Sequence, residues 1–213
     1  MTSTTLVVVS AGMTAFRFRD CEGEDTAPGE WLHVWSARYP SNDYAEYDDL
    51  IARHKSFASE EFVRLGKWKD GVKTEGQWKP NVAMVAYTIW MQAATELPTC
   101  PTKAELRTFL DDWSGRIYTD NFETKSVQKQ FGLSRTSTLL HFLSGGQYPI
   151  FDSRVRRAFK RLLNVSVPYT VHWYLNSCCP LTSEIALIGH AQNLRMVDMA
   201  LFSYGSTILP FED

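Results

Sequence analysis

Residues 129–161, KQFGLSRTSTLLHFLSGGQYPIFDSRVRRAFKR, decide the reading of this chain. Phe131-Gly132-Leu133-Ser134-Arg135 reads as a tight turn that opens a helix over 136–144, which Gly145-Gly146 closes. Residues 147–151 are then extended, because Pro149 biases Tyr148 away from helical dihedrals. Asp152 is placed to cap the next helix, on which Val155, Ala158, Phe159 and Leu162 recur at helical spacing. Backbone N–H groups at the first helix start can hold a phosphate. The dipole of the second helix favours an ionised Asp152, with Arg154, Arg156, Arg157, Lys160 and Arg161 close by in sequence.

On the N-terminal side of this stretch the pattern is helical. An apolar stripe runs through residues 44–66, and 81–97 reads as a buried helix stopped by Pro98 and Pro101. Thr102 and Glu105 form a capping-box pattern for a helix over 102–113. Residues 121–131 are expected to be helical. The polar segment 66–80, rich in Lys, Gly and Trp, is expected to be a loop or broken helix and a candidate lobe boundary. On the C-terminal side, Ile185, Ile188, Ala191, Leu194, Val197 and Leu201 predict one long helix from Thr182 or Ser183 to near Gly205. The first 30 residues are less regular. Residues 4–10 and 16–19 have strand-like composition and 21–30 reads as an acidic loop.

A chain of 213 residues with 44% apolar and 22% charged residues can bury a core without staples. It is expected to fold as one unit or as two closely packed lobes. No signal-peptide core or membrane-length apolar run is visible. Cys21, Cys100, Cys178 and Cys179 form no CxxC pair, and the histidines show no metal-ligand spacing. A reducing, cytoplasmic location without membrane, metal or cofactor is therefore expected. The net charge of −2 hides an asymmetry: residues 1–50 are acidic, whereas 123–164 are strongly basic. That basic run reads equally as a solvated helix face or as one face of a nucleic-acid binder.

The segment Pro149-Ile150-Phe151-Asp152-Ser153-Arg154-Val155-Arg156-Arg157-Ala158, preceded by the glycine turn at Phe131–Arg135, resembles the helix-hairpin-helix DNA glycosylase superfamily, the group of endonuclease III. The resemblance is close over about residues 125–163. It implies an all-α, two-lobed helical bundle with a cleft, in which Asp152 is the catalytic acid. It implies DNA contacts from Lys129, Gly132, Leu133, Ser134, Arg135, Thr136, Arg154 and Arg157, and leaves Trp78 and His141 as candidate base-pocket residues. His141 reads more simply as a satisfied core histidine. Trp68 reads as packing, and Trp31, His33 and Trp35 as a cluster of open role.

Three departures qualify the likeness. Phe131 and Ser134 replace the proline and second glycine of the family's hairpin. Thr136 stands where bifunctional members carry a Schiff-base lysine. Only Cys178 and Cys179 lie downstream, which leaves no iron–sulfur array. The implied function is a monofunctional DNA glycosylase, a hydrolase of base-excision repair or of defence. It would act as a monomer on double-stranded DNA carrying a modified base. The alternative is a non-catalytic helix-hairpin-helix DNA-binding protein.

Overall fold

The computed structural model describes residues 16–40, 44–70, 80–97, 101–122 and 125–207. The chain is predominantly helical and divides into two compact units. The central unit is continuous, residues 40–148. The other is assembled from residues 1–39 and 149–213. The boundaries fall at Tyr39/Pro40 and Tyr148/Pro149 rather than near 66–80. Residues 59–70 are helical, and 71–79, with Trp78, lie outside the described residues.

In the central unit the expected stripe over 44–66 is two helices. α2 (Tyr44–Ala52) and α3 (Ser59–Asp70) are separated by a 3₁₀ turn at His54–Ser56. α4 (Pro80–Glu96) follows its apolar composition. α5 (Lys103–Gly115) starts on the expected capping box: the Thr102 side chain accepts from the Glu105 N–H at 3.2 Å, and Glu105 accepts from the Thr102 N–H at 2.8 Å. The expected helix over 121–131 is absent. β1 (Ile117–Phe122) and β2 (Lys125–Gln130) form an antiparallel hairpin in the register Ile117↔Gln130 to Phe122↔Lys125. Helix-forming Lys and Gln residues give way here to cross-strand pairing, which local composition does not report. The Phe131 N–H continues the ladder to the Arg116 carbonyl at 2.9 Å. The Phe131 ring seats against Trp90 and Trp113, with centroids 5.1 and 5.8 Å away.

α6 (Gly132–Leu143) begins at Gly132, so the expected turn at 131–135 is this helix's own first turn. The chain leaves β2 and enters α6 through Gly132 at φ +78°, a left-handed conformation that favours glycine. A strand, not a helix, therefore precedes the glycine. α6 ends as expected, with the Gly146 N–H returning to the His141 carbonyl at 2.8 Å and both glycines at positive φ.

In the discontinuous unit, α1 (Pro28–Ala37) starts inside the stretch expected to be a loop, because proline is well placed in a helix's first turn. Residues 16–19 form no regular strand, although their apolar residues alternate inward. Phe16 and Phe18 are buried, the Arg17 N–H bonds the Leu162 carbonyl at 2.7 Å, and Arg19 bridges Asp25. Residues 4–10 lie outside the described residues. α7 (Ser153–Leu163) is capped by Asp152 and ends on Asn164 at φ +52°. α8 (Val171–Trp173) runs through a wide π turn (Tyr174–Cys178) into α9 (Cys179–Ile188). The wide turn lies just before Pro180, which has no N–H for an ordinary helical bond. The expected long final helix is broken: His190 adopts φ +52°, and the Asn193 side chain caps α10 (Leu194–Ser206) by accepting from the Met196 N–H at 3.0 Å.

The core of this unit is aromatic. Trp31 and Trp35 of α1 lie edge-on to Tyr204 of α10, at 5.4 and 5.0 Å. α7 and α10 approach so closely that a Cβ on Gly205 would overlap the Arg154 carbonyl.

Candidate functional site

Asp152 is the N-cap of α7, in extended geometry at φ −111° and ψ −175°. Its Oδ1 accepts from the N–H groups of Arg154 at 2.9 Å and Val155 at 3.0 Å. This satisfies two donors that the helix geometry leaves without partners. The residue is only 8% exposed, and its Oδ2 lies 3.9 Å from the Arg154 guanidinium.

The three residues before Asp152 belong to no helix or strand, and side chains from elsewhere in the unit hold them. The buried Tyr174 hydroxyl donates to the Pro149 carbonyl at 2.9 Å. The Ile150 N–H donates to Asp198 Oδ1 at 3.2 Å. The Tyr169 hydroxyl donates to the Phe151 carbonyl at 3.0 Å. The Phe151 ring lies against Tyr169, Trp173 and Tyr174 at 5.1, 5.2 and 5.9 Å. Asp198 is buried on α10 with the Arg195 guanidinium 3.5 Å away. Burial pushes the Tyr174 hydroxyl well above the usual phenol range. These three side chains lie 25, 48 and 18 positions from their backbone partners. No local pattern points to them, and they were not among the expected site residues.

The basic run on α7 has a second use that its composition conceals. Arg157 donates to the Gly205 carbonyl at 3.0 Å. Arg161 donates to the Tyr204 carbonyl and, at 2.8 Å, to that of Thr207. Those carbonyls belong to the last turn and C-cap of α10, where a helix has no intrahelical donors left and where cations are favoured. Arg156 donates to the Val167 carbonyl at 2.6 Å. Arg154 is exposed, with its guanidinium over the Phe202 ring at 4.7 Å. Lys160 is exposed. Arg157, expected to contact DNA, therefore also terminates α10.

At the start of α6, Leu133 and Thr136 are buried, whereas Gly132, Ser134 and Arg135 are half-buried. The side chains of Leu133 and Thr136 are thus part of the packing of this unit. Thr136 Oγ1 donates to the Gly132 carbonyl at 2.9 Å and accepts from Ser114 at 3.2 Å. Arg135 reaches the Phe131 carbonyl at 3.3 Å. α6 has no side-chain cap, since Phe131 carries no side-chain oxygen. The side chain of Lys129 lies outside the described part of the structure.

His141 has the environment of a satisfied core histidine. It is 1% exposed, with Nδ1 2.6 Å from the Tyr148 carbonyl and Nε2 2.7 Å from the Tyr47 hydroxyl. A carbonyl only accepts, so Nδ1 donates, and in the neutral ring Nε2 accepts from Tyr47. Trp68 packs on Tyr47 and Phe142 at 6.1 and 5.1 Å, as its packing reading required. Trp31 and Trp35 are fully buried, Trp35 donating to the Arg19 carbonyl at 3.0 Å, while His33 is exposed.

Among the described residues no group of three or more His, Cys, Asp or Glu side chains could hold a metal, and no helix is long and apolar enough to cross a membrane. The arrangement offers one nearly buried carboxylate, fixed at a helix start beside an exposed arginine. It can stabilise a cationic centre brought up to it. The chain matches no family model, no curated protein and no solved structure.

Proposed function

We propose that the chain is a monofunctional DNA glycosylase of the helix-hairpin-helix kind, acting on a modified base in duplex DNA. The observation that carries this reading is Asp152: a carboxylate 8% exposed, fixed by two backbone N–H groups at the head of α7 with Arg154 beside it. The exposed Arg154 and Lys160 supply phosphate-binding chemistry on the same helix.

In the proposed reaction one nucleotide is extruded. The C1′–N bond breaks with its electron pair leaving on the base, and the deoxyribose becomes cationic. Asp152 stabilises that charge. Water then adds to C1′ and loses a proton to the carboxylate or to solvent, and the base leaves after taking up a proton. The product is an abasic site. Thr136 has no amine, so no imine forms there and borohydride traps nothing.

A probe independent of the base tests the reading. One duplex carries a pyrrolidine abasic nucleotide, whose ring is cationic as the sugar becomes; a second carries the neutral tetrahydrofuran analogue. The wild-type protein is expected to bind both in a salt-dependent manner and to prefer the cationic one by at least about ten-fold. Asp152→Asn, which keeps the cap because asparagine caps about as well, should retain binding to the neutral duplex and lose the preference. On a panel of modified duplexes it should also lose base release by orders of magnitude. No DNA binding at low salt, or equal binding of the two duplexes by wild type, sinks the proposal. Salt-dependent binding without base release leaves a non-catalytic DNA-binding protein.

A further inference from the structure

Resting on that reading, we infer that Tyr169, Tyr174 and Asp198 are positioning residues for Asp152. They form a three-point clamp on the backbone that carries it. The clamp takes three consecutive residues in order: the Pro149 carbonyl by Tyr174, the Ile150 N–H by Asp198 and the Phe151 carbonyl by Tyr169. The next residue is Asp152, whose own carbonyl accepts the first helical bond of α7, from the Arg156 N–H at 2.9 Å. A segment outside helix and strand depends on side-chain and tertiary bonds to fix its backbone. Here each residue from 149 to 152 carries a fixed hydrogen bond, and the Phe151 ring is fixed by three aromatic neighbours.

The three clamping groups come from three places: the loop after α7, the π turn and the middle of α10. The clamp is therefore a tertiary product that forms only when the unit is assembled. Satisfying buried backbone groups explains Tyr174 and Asp198 on structural grounds alone. It accounts equally for the Tyr169 bond, since Phe151 is buried. Tyr169 itself is 39% exposed, so among the three it is the one whose hydroxyl can be removed with least effect on the core, and it fixes the carbonyl adjacent to Asp152. Electrostatic stabilisation of a developing charge depends steeply on where the carboxylate is held, and a displacement of about 1 Å can cost about a hundred-fold in rate.

The test uses Tyr169→Phe in the full chain, because the exposed ring can lose its hydroxyl without emptying the core. Tyr174→Phe and Asp198→Asn serve as the buried counterparts. Two readouts separate positioning from stability. Amide hydrogen exchange at Arg154 and Val155, the two N–H groups held by Asp152, should quicken in Tyr169→Phe while the melting temperature stays near wild type. The preference for the pyrrolidine duplex over the tetrahydrofuran duplex should fall by about five-fold or more, with affinity for the neutral duplex unchanged. A purely structural role would move melting temperature and both affinities together and leave their ratio alone. If the wild-type preference depends on Asp152 but survives Tyr169→Phe, the clamp is overturned and the glycosylase reading stands. If wild type shows no preference, that reading falls and takes the clamp's catalytic meaning with it. Unchanged amide exchange in Tyr169→Phe overturns the clamp on either branch.

Discussion

Two sets of arginines, one in each unit, are held in different ways. In the central unit Arg53, Arg64 and Arg116 meet carboxylates. Arg64 bridges Glu46 and Asp49 at 2.8 and 2.6 Å, Arg53 reaches Asp49 and Glu61 at 3.2 and 3.3 Å, and Arg116 meets Glu96 at 2.6 Å. In the discontinuous unit Arg156, Arg157 and Arg161 meet backbone carbonyls. An ion pair can be dissolved by protonating one partner or by adding salt. A guanidinium closing the end of a helix cannot be undone in that way, because a peptide carbonyl does not titrate. Two regions of similar charge content should therefore answer differently to pH, salt and mutation.

The largest expected effect lies at the close approach of α7 and α10. Gly205→Val puts side-chain atoms into the Arg154 carbonyl, a backbone clash that no rotamer relieves. A loss of about 3 kcal/mol or more is expected in urea unfolding; a loss below 1 kcal/mol would show that the helices can part. Arg161→Met keeps the aliphatic stem but removes the donors to the Tyr204 and Thr207 carbonyls. It should cost about 2 kcal/mol, nearly the same at low and high salt. Arg64→Met, its counterpart in the central unit, should cost less, and that cost should shrink as salt is added.

The smallest effects, and the most diagnostic, lie at the ends of the pH scale. In the central unit Asp49 and Glu96 are held below their ordinary values of 3.8 and 4.5, chiefly by hydrogen bonds from Arg64 and Arg116. Glu61 and Glu105 are held below 4.5, chiefly by backbone N–H groups. Carboxyls with lowered folded values contribute stability above those ordinary values and lose it as pH falls below them. In the discontinuous unit, burial raises Cys178 and Tyr174 above 9.0 and 10.0. Their contribution is full below those values and is lost as pH climbs past them. Arg64→Met should flatten the acid limb of a stability–pH curve, and Tyr174→Phe the alkaline limb. Each variant flattening the other's limb would break the comparison.

Local punctuation carried most of what the sequence made legible. The Thr102–Glu105 box, the Gly145-Gly146 stop and the Asp152 cap each settle within a few residues, and each formed as read. Where the deciding partner was distant, local pattern misled. Residues 125–130 pair across a hairpin despite helix-forming composition. Gly189, His190 and Asn193 interrupt an apolar period that continues on both sides of them. The candidate site divides in the same way. The cap role of Asp152 is local and was visible; its catalytic role remains the proposal. The clamp on residues 149–151 and the engagement of Arg157 with α10 arise only from tertiary packing.

The discontinuity of the first unit sets a timetable for the growing chain. Residues 40–148 find their unit's partners among themselves before Pro149 is added. Trp31 and Trp35 are made early, but the ring they pack on, Tyr204, is made near the end. Until then two large indoles have no native partner on α10, and closing so long a loop is slow. Until that ring is made, α1 exposes apolar surface of the kind that makes incomplete chains prone to aggregate.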